Sequence, residues 1–177
     1  MKKINSFEIA LSAVACALCT LALTVGTLYP PFLFTGYLLS MAALMLPLSV
    51  GQYSGCALAY IGASVLTLLF NGFNFWDTMP FILFFGLHPL VNALQKRFRV
   101  NRYLAFFIKA AWFDGAAYLT WKFVFAMNTT LPFVDKYILP VILIGGTLFF
   151  IAYDLCIFRC QKAVDETVEK TVGRKKK

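Results

Sequence analysis

Between Ile9 and Trp76 the chain has no Asp, Glu, Lys, Arg or His, a stretch of 68 residues. A soluble domain cannot be built that way, because its surface needs charge spread along the whole sequence. Charge is scarce elsewhere too: 14% of all residues carry it, against about 25% in soluble domains. There is no Walker lysine loop, no HExxH string, no acidic pair at metal-binding spacing and no serine triad. The chain therefore has no ATP-hydrolysing machinery of its own. The string Cys16-Ala17-Leu18-Cys19 and the pair Cys156/Cys160 have no His or carboxylate beside them, so no metal and no other cofactor is expected.

What is present is apolar chain: 60% of residues are hydrophobic and nineteen are Phe. A membrane helix needs about 20 such residues. Cutting the uncharged run at Tyr29-Pro30-Pro31 and at Gly51–Gly55 gives spans over residues 7–29, 32–50 and 53–71. Three more follow over 78–95, 103–127 and 136–159, the fourth capped by Asp77 with Pro80 in its first turn, the fifth entered through Asn101 and the sixth capped by Asp135. The expected fold is all-α: a polytopic membrane protein with a compact bundle of six transmembrane helices in residues 1–160. The apolar run after Lys2-Lys3 is too long for a signal-peptide core and flows into further spans, so it reads as an uncleaved first helix. Residues 161–177 form a basic tail, expected to be frayed and solvated, with a short helix on anionic headgroups as the other reading.

Thirteen of the sixteen basic residues fall before the first span, in the link 96–102, or after the sixth span. An even number of spans puts these three regions on one side, and the positive-inside rule makes that side the cytoplasm. The expected location is a bacterial plasma membrane, multi-pass, with both termini inside. Topology accounts for the net charge of +8, so no nucleic-acid partner is inferred.

Charges inside the bilayer are costly and therefore informative. Asp114 falls near the middle of the fifth span, followed by Tyr118 and Trp121 at helical spacing and by Lys122 further outward. Together they suggest the lining of an outward-facing pocket; an internal Asp114 ion pair and a snorkelling Lys122 are the plainer readings. Lys109 and Asp154 each lie about six residues from the cytoplasmic end of adjacent antiparallel spans, so a structural salt bridge between them is expected. His88, before Pro89, is assigned to local polar groups at a kink. The outer link carries Asn74 and Trp76 among aromatics, and is expected to lie over the bundle's mouth. Small residues mark where helices approach in lipid: Gly51, Gly55, Ala59 and Ala63 on the third span suit packing within the bundle. Ala13 and Ala17 on the first suit the same, or a separate membrane partner.

The segments Ala43-Leu44-Met45-Leu46-Pro47-Leu48 and Phe81-Ile82-Leu83-Phe84-Phe85-Gly86-Leu87-His88-Pro89-Leu90, with the basic link after the second, resemble a group of small bacterial membrane proteins similar to the substrate-binding S components of energy-coupling-factor (ECF) transporters. The resemblance covers roughly residues 9–159. It implies a capture subunit of an ECF-type ABC importer for a vitamin-like or other small solute, working with a transmembrane coupling subunit and, through it, two ATPases. It also implies that Ala13 and Ala17 contact that coupling subunit, and that the pocket opens outward near Tyr29, Asn74, Trp76, Asp114, Trp121 and Lys122. No riboflavin, thiamine or biotin signature is present. The alternative is a structural or assembly protein packing against a partner helix bundle. An intramembrane enzyme using Asp114 and His88 is disfavoured, because their estimated depths differ by about 5 Å.

Overall fold

The computed structural model describes residues 6–125 and 132–172. Among these, six helices and no strands are found. They are α1 (Ser6–Leu28); α2 (Leu33–Ser49), led by the 3-10 turn Pro30–Phe32; α3 (Tyr53–Phe70); α4 (75–98); α5 (102–125); and α6 (132–172). Four are long and apolar enough to cross a membrane: α1, α2 with its leading turn, α3, and α6 from Lys136.

Turn chemistry sets the boundaries. α2 ends with Gly51 left-handed (φ 77°), its N–H donating to Leu48 O and the Gln52 N–H to Pro47 O, a Schellman closure. α3 ends likewise at Gly72, with the Phe73 N–H donating to Leu68 O. At the end of α4 the left-handed position is taken by Arg99 (φ 51°). Asn101 caps α5 by accepting from the Tyr103 N–H at 2.9 Å. α4 starts at Phe75, three residues before the expected Thr78, because the Asn71 side chain accepts from the Asn74 N–H at 3.1 Å and organises the turn. Trp76 and Asp77 thus belong to the first helical turn, not to a loop over the mouth. α6 likewise starts at Pro132, ahead of Asp135. The expected end of the fifth span, Met127, falls outside the described residues.

α2 is the central helix, packed against α1, α3, α4 and α6. It crosses α1 at two glycines: a Cβ on Gly36 would lie 2.7 Å from the Ala22 carbonyl oxygen and 3.2 Å from Gly26 Cα. Ser40 Oγ lies 3.1 Å from the Cys19 carbonyl oxygen across the same contact. Gly55, Ala59 and Ala63 of α3 are buried, and Gly51, in the preceding turn, is exposed. Ala13 and Ala17 are exposed, as are Ala10, Val14, Leu18 and Leu21 around them, so this face of α1 is not used inside the bundle.

α4 is bent where its sequence demands it. Pro89 has no N–H to give the Phe85 carbonyl, and the backbone relaxes into a π-helical segment, Phe81–Phe85. The Gly86 N–H donates to Phe81 O instead of Ile82 O, and the freed Ile82 carbonyl accepts from Tyr60 Oη of α3 at 2.8 Å. One turn earlier the Phe81 N–H turns to Thr78 O, and the Asp77 carbonyl accepts from Tyr37 Oη of α2. The Ile82 and Asp77 carbonyls are thus each satisfied by a tyrosine from a neighbouring helix.

The expected fraying after Arg159 is not seen: α6 runs unbroken to Val172. No Gly or Pro interrupts 147–172. Gln161 Nε2 donates to Asp165 Oδ1 at 2.8 Å, Gln161 is buried, and Val164 packs on the core. The apolar helix over Lys136–Thr171 has 36 residues, about 54 Å at 1.5 Å per residue. That exceeds the ~30 Å of hydrocarbon in a bilayer.

Candidate functional site

The links α1–α2 and α3–α4 lie at one end of the bundle, and the basic link between α4 and α5, residues 96–102, lies at the other. Near the first end is a cavity of about 660 Å³, within the size range of small-molecule sites. Pro30, Pro31, Phe34 and Tyr37 form one wall. Trp76, Asp77, Phe84 and Phe85 of α4 form the second, and Ile138, Ile142 and Phe149 of α6 the third. The fourth wall is the α5 face Phe113, Ala116, Ala117, Thr120 and Trp121, at helical spacings of 0, 3, 4, 7 and 8. All three π-helical segments, Phe81–Phe85, Trp121–Phe125 and Ile142–Gly146, contribute to it. Such segments often mark functional positions, because the extra residue per turn re-aims side chains.

Of the residues expected at a pocket, Trp76 and Trp121 line this cavity and five do not. Trp76 stacks on Phe123 with centroids 5.9 Å apart. Asp114 is turned sideways to α6, where its Oδ2 accepts from Thr147 Oγ1 at 3.1 Å. Its Oδ1 is buried without a hydrogen-bond partner, 2.9 Å from where a Cβ on Gly146 would stand. Neither the ion pair nor the pocket position considered for Asp114 is therefore observed; Asp114 sits in a helix contact that Gly146 leaves room for. Tyr118 is half-buried and Lys122 exposed, both off the lining face. Tyr29 is exposed beside Pro30. Asn74 Nδ2 donates to Asp77 Oδ2 at 2.6 Å, so Asn74 acts on the cavity through Asp77.

Toward the basic end, below Phe84, three helices meet at one polar node. Lys109 Nζ donates to Asp154 Oδ1 at 2.7 Å and to Asn92 Oδ1 at 2.9 Å. It also lies 5.1 Å from the Phe158 ring centre, a cation–π contact. His88 Nε2 is 3.4 Å from the same Asp154 oxygen, too long for a strong hydrogen bond. Lys109 is 3% exposed and His88 is fully buried among Phe84, Trp112, Phe150 and Tyr153. Asn92 was not anticipated; its position four residues after His88 on one helix face was the available signal. Among the described residues no group of three or more His, Cys, Asp or Glu side chains could hold a metal ion.

No protein-family model, curated protein or solved structure matches the chain.

Proposed function

We propose that this chain is the membrane-embedded capture subunit of an ECF-type importer. In this reading all six helices span a bacterial plasma membrane with both termini in the cytoplasm. The charge distribution supports that orientation: the basic residues sit at one end, and the opposite end is nearly free of them. One observation carries the functional reading. The bundle has a well-formed aromatic cavity at the end away from the basic residues, where a solute would arrive from outside. A purely structural subunit has no need of it.

The small-residue face of α1 gives the second half of the mechanism. Ala13 and Ala17 are exposed in the bundle, so the close approach they permit is available to a separate membrane protein. With no ATP-hydrolysing motif, the chain needs a coupling subunit and two ATPases to release its solute inward. The role is binding and delivery, not catalysis. Gentle extraction of tagged protein from its native membranes, followed by mass spectrometry, tests this. Recovery of a coupling membrane protein with two ATPases supports the importer. Recovery without them, under conditions that preserve such complexes, favours the structural or assembly role.

A further inference from the structure

We propose that the outer cavity selects a flat aromatic cation and rejects anions. The inference rests on the capture reading and names its substrate class. Eight of the eighteen lining residues are aromatic. Ring faces carry negative potential and attract a desolvated cation. The one formally charged residue among the described lining residues is an acid, Asp77; no Lys, Arg or His joins it. Lys122 and Lys136 belong to the same end of the bundle but do not line the cavity. An anionic solute would lose its water and find no counter-charge, whereas a cation meets rings and a carboxylate together.

The polar groups agree. Tyr37 Oη is already engaged by the Asp77 carbonyl, so it is not a free donor for a carboxylate or phosphate. Asn74 donates to Asp77 Oδ2, which holds the carboxylate in one orientation. An acid in the first turn of a helix is favoured by the helix dipole alone, but that does not require it to line a cavity. Trp121 and Thr120 of α5 line the cavity too, and the remainder is ring and aliphatic surface. Such a site grips a planar ring system and reads its charge at the Asp77 side.

The test is equilibrium dialysis of three probes against nanodiscs holding the full-length protein, with empty nanodiscs as blank: N-methylquinolinium, neutral quinoline and 1-naphthoate. The cation is expected to bind at least about tenfold more tightly than quinoline, and 1-naphthoate more weakly than either. Asp77→Asn should remove most of the preference for the cation while leaving quinoline unchanged, and Asp77→Glu should retain it. Trp121→Leu should weaken both N-methylquinolinium and quinoline. Equal or tighter binding of the neutral or anionic probe overturns the proposal. So does failure of all three to bind, or an unchanged cation preference in folded Asp77→Asn. If the anion wins while the ATPases still co-extract, only the substrate class fails. If the cation binds but no ATPases accompany the protein, the import role fails and the site stands.

Discussion

Replacing Lys109 with Met should destabilise the protein far more than replacing both members of its ion pair. Lys109 is 3% exposed, and Asp154 presents 13% of its side chain. In Lys109→Met the Asp154 carboxylate keeps only His88, 3.4 Å away, and the Asn92 carbonyl oxygen loses its donor. Breaking a buried pair from one side costs about 3–5 kcal/mol, because the remaining charge has nowhere to go. Since Asp154 is not fully buried and His88 stands beside it, the lower end, about 3 kcal/mol, applies. In Lys109→Met with Asp154→Leu no charge is stranded, and the main loss is the Asn92 hydrogen bond, about 1 kcal/mol. At roughly 2–4 °C per kcal/mol for a chain of this length, the single variant should melt about 6–12 °C below wild type and the double variant about 2–4 °C below. Tryptophan fluorescence during thermal unfolding in detergent gives both values. A double variant as unstable as the sum of its singles would refute a coupled ion pair at this node.

Gly36→Ala should cost about 1–3 kcal/mol through overpacking, since its Cβ would meet the Ala22 carbonyl oxygen at 2.7 Å; the melting temperature checks it. Tyr60→Phe leaves the Ile82 carbonyl without a partner at the bend of α4, so a loss of about 1–3 kcal/mol is expected in the same assay. Ala17→Trp, on the exposed face of α1, should leave the melting temperature within about 1 °C of wild type. It should abolish co-extraction of the coupling subunit and ATPases, which would persist if α1 were not the contact.

The helical architecture was legible because absence of charge is a coarse signal that survives small errors of register. The cuts at Tyr29-Pro30-Pro31 and Gly51 fell within a few residues of the ends of α1 and α2, where ring and glycine chemistry leaves few options. The start of α4 was misread because Asp77 and Asn74 are both good caps, and only the Asn71 side chain decides between them. The lining face of α5 was misread by one residue. Asp114 stands out in the sequence as an acid near the middle of its span, yet the wall is Phe113, Ala116, Ala117, Thr120 and Trp121, and a one-residue shift turns a helix face by about 100°. Phe84, Phe85, Phe113 and Phe149 look like ordinary core in a chain with nineteen Phe. What sets them around a cavity is the π-helical geometry of Phe81–Phe85, Trp121–Phe125 and Ile142–Gly146, of which the first lies in the turn before Pro89. The separation of Lys109 and Asp154 was readable from their matched distances to the basic end; Asn92 came from the third helix at the node, which no pairwise count includes.

Capture from outside requires the cavity mouth to face out and the basic end to face the cytoplasm. The most direct measurement replaces the five native cysteines and installs one at Phe73 or at Phe98, positions 70% and 69% exposed at opposite ends of the bundle. A membrane-impermeant maleimide added to intact cells should label Phe73→Cys at once and Phe98→Cys only after permeabilisation. Labelling of Phe98→Cys in intact cells, with Phe73→Cys protected, would turn the bundle over and contradict capture from outside.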